Sequence, residues 1–167
     1  RACQQNGILF CVDAIQHVGG LSFDVQAVEA DFVVADGHKW MLGPEGLALF
    51  YCRQSLIPRL KLNQYGWHML DDLDFDRMTD WKPADTARRF ECGSPNMTGI
   101  HALHASIGLL LELGMDNIEQ QVLNNVQFLI NAFSSSDQIE ILSETRAHRY
   151  GGIFTFRKKG AETADLY

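Results

Sequence analysis

Apolar and polar positions alternate along this chain in a way that spells a layered α/β order. Gly7-Ile8-Leu9-Phe10-Cys11-Val12 is an apolar run of strand length that ends in Asp13. Asp24-Val25-Gln26-Ala27-Val28-Glu29 follows as a helical turn, with Ser22 or Asp24 as its cap. A second apolar run, Asp31-Phe32-Val33-Val34-Ala35, leads into Asp36-Gly37-His38-Lys39-Trp40. The turn Gly43-Pro44-Glu45-Gly46 then delivers a third, Leu47–Cys52, close enough to be the hairpin partner of the second. Runs so continuously apolar predict a sheet covered on both faces.

Residues 53–92 lack periodicity and hold Pro58, Pro83 and a cluster of aspartates, which predicts a long loop with short helical pieces. Two helices come next. The first spans 98–113, with Ile100, Leu103, Ile107, Leu110 and Leu111 on one face and Gly114 just past its end. The second opens on Asp116-Asn117-Ile118-Glu119, a start like a capping box. Its apolar stripe is Ile118, Val122, Val126, Leu129, Ile130 and Phe133. Two strands are predicted at Ile139–Leu142 and Gly152–Phe156, where a second sheet begins. Two strands alone do not support themselves, and the first residue is Arg1, so both ends are expected to be truncated.

Composition narrows the function. With 167 residues, 46% of them hydrophobic and 21% charged, the chain reads as one globular domain or part of a larger one. A net charge of −7 disfavours nucleic acid and a polybasic membrane surface as partners. No apolar run reaches membrane-span length and no charged-then-apolar leader is visible. Cys3, Cys11, Cys52 and Cys92 form no CxxC and lie mostly in or beside predicted strands. They are read as buried, reduced thiols of a cytoplasmic protein.

Chemistry enters with the two strand ends. If the first two strands are parallel, Asp13 and Lys39 share the carboxyl edge of the sheet, where open α/β folds bind ligands. Pyridoxal 5'-phosphate needs a carboxylate for its ring nitrogen and a lysine for its Schiff base. Lys39 between buried strands is expected near apolar walls, which lower an amine's pKa. His38 is placed to donate to a phosphate oxygen, and Gln16 to a ring hydroxyl. The plainer readings are a strand-end Asp13 that caps a loop and a solvated Lys39.

Val12-Asp13-Ala14-Ile15-Gln16-His17, the segment Ala30–Trp40, Gly43-Pro44-Glu45-Gly46 and Arg88-Arg89-Phe90-Glu91-Cys92-Gly93-Ser94-Pro95-Asn96 together resemble the class V aminotransferases, in the family's order. That family includes cysteine desulfurases and isopenicillin-N-epimerase-like proteins. The resemblance implies a fold-type-I enzyme of α/β class, with a mixed, mostly parallel sheet and flanking helices. Residues 1–134 would be the C-terminal part of the large cofactor-binding domain, and 135–167 the beginning of a small α+β domain. Asp13 would pair with the pyridinium nitrogen, Gln16 with the phenolic oxygen, and His38 with the phosphate. Lys39 would form the internal aldimine and move the proton at the α-carbon of an amino-acid substrate. Ser94, where many members have Thr, would reach the cofactor of the partner subunit in a homodimer.

Two departures from the family pattern stand out. Asp36 replaces a frequent Ser, and a carboxylate repels phosphate unless it is turned away or neutralised. Leu62–His68 lacks the glycine-rich segment of the desulfurases, which favours the epimerase-like or an undefined branch. An upstream phosphate-binding turn, a ring-stacking aromatic or His, a downstream substrate Arg and the desulfurases' catalytic Cys find no place in the chain. A segment inactive on its own is therefore expected. The alternative is a naturally truncated binding or oligomerisation module descended from such an enzyme.

Metal readings are weak. Asp72-x-Asp74-x-Asp76 mimics a calcium loop, but Arg77 and Pro83 replace the needed Gly and Glu. His101 and His104 lie one helical turn apart with no third ligand, which favours packing or surface roles. Trp67 and His68 divide evenly between a pocket rim and loop packing.

Overall fold

The computed structural model describes residues 2–73 and 81–162. A single helical turn, α1 (Ala2–Gln5), precedes β1 (Cys11–Asp13), α2 (Val25–Val28), β2 (Phe32–Asp36) and β3 (Ala48–Cys52). The strands form one sheet in the order β1-β2-β3. β1 runs parallel to β2, and β3 is the antiparallel hairpin partner of β2. β1 starts later than its apolar run suggests: Ile8 and Leu9 stand exposed before it. Asp24 caps α2, its carboxylate accepting from the amides of Gln26 and Ala27.

The core lies under this sheet. Ala14, Ala30, Val33, Ala35 and Met41 cluster with Leu103 of α3 (Met97–Leu113). The opposite face of the sheet meets a second cluster, in which Cys52 and Phe32 pack with Leu56, Ile57 and Phe90, so both faces are covered, as the apolar runs predict, but only in part. Val34 and Phe50 on one face, and Leu49 and Tyr51 on the other, stay exposed where the two clusters do not reach. Phe50 still meets the edge of the Phe90 ring, 5.6 Å between centroids. Short 3-10 turns at Gln54–Arg59, Trp67–Met69 and Ala87–Phe90 punctuate the long connection. The calcium-like run at Asp74 and Asp76 lies outside the described residues.

α3 begins under an Asn96 cap and stops at Gly114, whose φ of 83° is cheap only for glycine. The same Gly114 opens α4 (Met115–Ser134). Asp116 is therefore inside the first turn rather than the cap, because the helices abut without a linker. Leu103 and Leu110 are the buried apolar residues of α3, whereas Ile100 and Leu111 are exposed. Val126 and Ile130 carry the buried stripe of α4. β4 (Ile139–Ile141) pairs antiparallel with β5 (Phe156–Lys158) in a separate sheet. β5 sits C-terminal to the predicted strand, since the partner of Ile141 is Phe156, leaving Gly151 and Gly152 to pack as coil.

All four cysteines are free, but only Cys52 is buried; Cys11 is exposed because β1 is an edge strand. Burial and then the nearby Asp31 charge push the Cys52 thiol up from its ordinary range. No group of three metal-ligating side chains occurs among the described residues, and His101 and His104 are both exposed. No helix among them is long and apolar enough to cross a membrane.

Candidate active site

Parallel pairing decides the geometry. Cys11 to Asp13 lie opposite Phe32 to Val34, so β1 and β2 end at one edge of the sheet. Asp13 is exposed there, and one carboxylate oxygen accepts the Ile15 amide at 3.0 Å. That bond is the loop cap the plainer reading anticipated. The second oxygen accepts no hydrogen bond among the described residues, so a cap and a ligand are compatible. From Ala14 the chain winds through a compact turn, with the amides of His17 and Val18 both donating to the Ala14 carbonyl, at 2.9 and 3.0 Å.

Beyond β2, the segment from Gly37 to Gly43 closes on itself. The Gly43 amide donates to the Gly37 carbonyl at 2.8 Å, and the Leu42 amide to that of Lys39 at 3.1 Å. The turn rests on α3: a Cβ at Gly43 would come within 2.7 Å of the Leu103 side chain and 3.0 Å of the Gly37 carbonyl oxygen. Glycine is needed because backbone and helix approach so closely.

Lys39 projects from this turn into solvent. The apolar walls expected around it are not built by the described residues, because the turn carries it past the sheet edge rather than between strands. Among the described residues no carboxylate pairs with its ammonium group. The amine is thus open to an aldehyde, the condition a Schiff-base lysine must meet.

Gln16 and Trp40 tie the two strand ends together. The Trp40 indole N–H donates to Gln16 Oε1 at 3.2 Å. Trp40 is the residue that sequence reasoning passed over; its only signal was an aromatic next to Lys39. His38 Nδ1 stands 3.7 Å from an Asp36 carboxylate oxygen. An imidazolium there would offset the carboxylate that a phosphate group otherwise faces.

Ser94 is not part of this cluster. It is exposed in the segment before α3, lining a cavity of about 570 Å³ with Leu47, Leu49, Ile100 and Ile107. The Asn96 amide, two residues on, reaches the Gly46 carbonyl at 3.5 Å. His68 is half-buried, its Nδ1 3.4 Å from Glu91, its carbonyl accepting from Arg88 Nε at 2.9 Å. Those contacts favour loop packing over a pocket rim.

A carboxylate, an amine and an amide on one open edge suit pyridoxal phosphate by the chemistry of the donor set. Known proteins agree with that reading at the level of family. The family model for aminotransferase class-V matches residues 1–167. A probable cysteine desulfurase of Streptomyces coelicolor is 31% identical over 156 residues, covering 93% of this chain and 36% of that protein. The Escherichia coli cysteine desulfurase CsdA superposes with a TM-score of 0.81 at 21% identity, over 99% of this chain and 39% of that one. C-DES, in a structure with glycine covalently linked to its PLP cofactor, superposes with a TM-score of 0.72 at 21% identity, over 86% and 37%. The chain thus spans well under half the length of the relatives it matches. These relatives come from the desulfurase side, which the Leu62–His68 stretch argued against. Matched along its whole length and folded as a fold-type-I enzyme segment, the chain belongs to the class-V aminotransferase family.

Proposed function

We propose that this chain supplies the cofactor-facing edge of a pyridoxal-phosphate enzyme acting on an amino acid. The observation that carries the proposal is the parallel register of β1 and β2, which sets Asp13 and the Lys39 turn on one edge. When bound, the cofactor would supply an electron sink for the α-carbon of the substrate. Asp13 keeps a ring nitrogen protonated through its uncommitted oxygen. Gln16 donates its amide N–H to the ring's phenolic oxygen. Lys39 would hold the cofactor's aldehyde and would take up or return the proton at the substrate's α-carbon. His38 donates to a phosphate oxygen, its other side facing Asp36. Ser94 serves the equivalent site of a second copy, in a cytoplasmic homodimer with no nucleic-acid or membrane partner.

In the same reading, residues 1–134 belong to the large domain and 135–167 to a small one. The separate β4-β5 sheet after α4 supports that division. The chain alone, at under half its relatives' length, is inactive, and turnover belongs to the intact protein. The desulfurase relatives make sulfur removal from cysteine the first reaction to assay. The truncated, non-catalytic module is the second reading. Exposed Leu49, Phe50 and Tyr51, alternating between the two faces of β3, favour it, because uncovered apolar surface drives association.

The test is uptake of pyridoxal phosphate by the protein at its full natural length, followed by borohydride reduction and peptide mapping. Cofactor fixed on Lys39, and none in Lys39→Ala, supports the proposal. No covalent label in the unaltered protein overturns it and leaves the module reading.

A further inference from the structure

Trp40 is held more tightly than a half-buried turn residue requires. A Cβ at Gly20 would come within 2.4 Å of indole Cε3, and one at Gly152 within 2.5 Å of Cη2. Real Cβ atoms do not approach that closely, so both contacts exist only because the two residues are glycine. A third, Gly19 with φ of 98°, lies against the Trp40 backbone: its Cβ would sit 2.5 Å from the Trp40 carbonyl carbon. The indole is therefore gripped by the turn after β1 and by the coil before β5, segments far apart in sequence. Val122 of α4 closes the same place, 3.1 Å from a Cβ at Gly152.

What leaves this grip is one hydrogen bond, the indole N–H to Gln16 Oε1 at 3.2 Å. Indole nitrogen can only donate. An amide side chain can otherwise rotate by half a turn and exchange its oxygen for its NH2 group. A donor-only partner removes that ambiguity: the oxygen is taken, and the NH2 group must face elsewhere. Gln16 is exposed, so the NH2 group is free to meet a ligand. A phenolate oxygen needs a donor and is repelled by a carbonyl oxygen.

We infer that Trp40 is a positioning residue, clamped between Gly20 and Gly152, that locks the Gln16 amide with its donor toward the cofactor's phenolic oxygen. This rests on the cofactor reading above. It also gives the coil before β5 a role at the site, since Gly152 forms one jaw of the clamp.

The test is a double-mutant cycle on pyridoxal phosphate affinity in the full-length protein, with folding of each variant checked by thermal unfolding. Trp40→Phe keeps an aromatic ring, though a smaller one than the indole, removes the N–H, and should weaken binding about fivefold. In a Gln16→Ala background the same change should cost less than about twofold, because the group it orients is gone. Gly152→Ala, which pushes on the indole without touching Gln16, should show the same dependence on Gln16. Equal losses in both backgrounds, or no loss in either, overturn the inference while leaving the cofactor reading intact. Failure of the unaltered protein to bind pyridoxal phosphate overturns both.

Discussion

Asp31 and Arg53 form an ion pair at 3.1 Å that locks the start of β2 to the residue following β3. Asp31 is buried, and its second oxygen accepts the Phe10 amide at 2.8 Å. Arg53 also donates to the carbonyls of Glu29 and Ala30, at 2.8 and 3.1 Å. One pair thereby ties three chain segments around the sheet that carries the candidate site.

Replacing Asp31 by Ala orphans the Phe10 amide and leaves the guanidinium without its counter-charge. The expected loss is about 2 kcal/mol of unfolding free energy, since the buried Asp31 side is lost while the partly exposed Arg53 keeps its carbonyl bonds and some solvation. Urea unfolding measures it. A loss below about 0.5 kcal/mol, the level of an ordinary surface change, would show that the pair does not hold the sheet.

Leu103 is the prop under the Lys39 turn as well as a core residue. Leu103→Ala is expected to cost about 3 kcal/mol of stability through the cavity it opens. Because Gly37 and Gly43 rest on this side chain, amide exchange in residues 37–43 should accelerate more than in β4. Uniform acceleration across both sheets would deny Leu103 its role beneath the turn.

Glu119 of α4 reaches across to the turn after β1 and accepts the Ser22 amide at 3.0 Å. Its bonds to Ser22 hold the carboxyl below its usual 4.5, chiefly by favouring the ionised form. A lowered folded pKa means a contribution fully present above the unfolded value and lost as pH falls through the folded one. The stability gap between the unaltered protein and Glu119→Gln should be constant near neutrality and shrink below about pH 4.5. Melting temperatures across pH 3 to 7, of order a few degrees apart at neutrality, test this. A gap that widens on acidification has the wrong sign for the contact.

Much of the frame is legible in the residues. The Asp24 cap of α2, the Gly114 stop of α3 and the hairpin of β2 with β3 follow from local chemistry, because caps, positive-φ glycines and short connections act over a few residues. The helix faces were harder. Ile100 and Leu111 share the periodicity of Leu103 and Leu110, yet only the latter two meet the core. Periodicity names a stripe; how wide a stripe is covered depends on what packs there.

The sequence by itself determined the order of elements and the residue types at the candidate site: Asp13 after one strand, His38 and Lys39 after the next, Gln16 three residues past Asp13. Local propensity and hydrophobic spacing suffice for that, since they depend on near neighbours along the chain. Tertiary structure decided that β1 and β2 are parallel, that Lys39 stands in solvent, and that Asp36 has His38 for a neighbour. It also decided that Trp40 lies between Gly20 and Gly152 with its N–H on Gln16. The strand pairing and the Trp40 contacts join residues far apart in the chain, and close packing rather than any local preference brings them together; Asp36 and His38 are two residues apart, and the turn after β2 turns them toward one another.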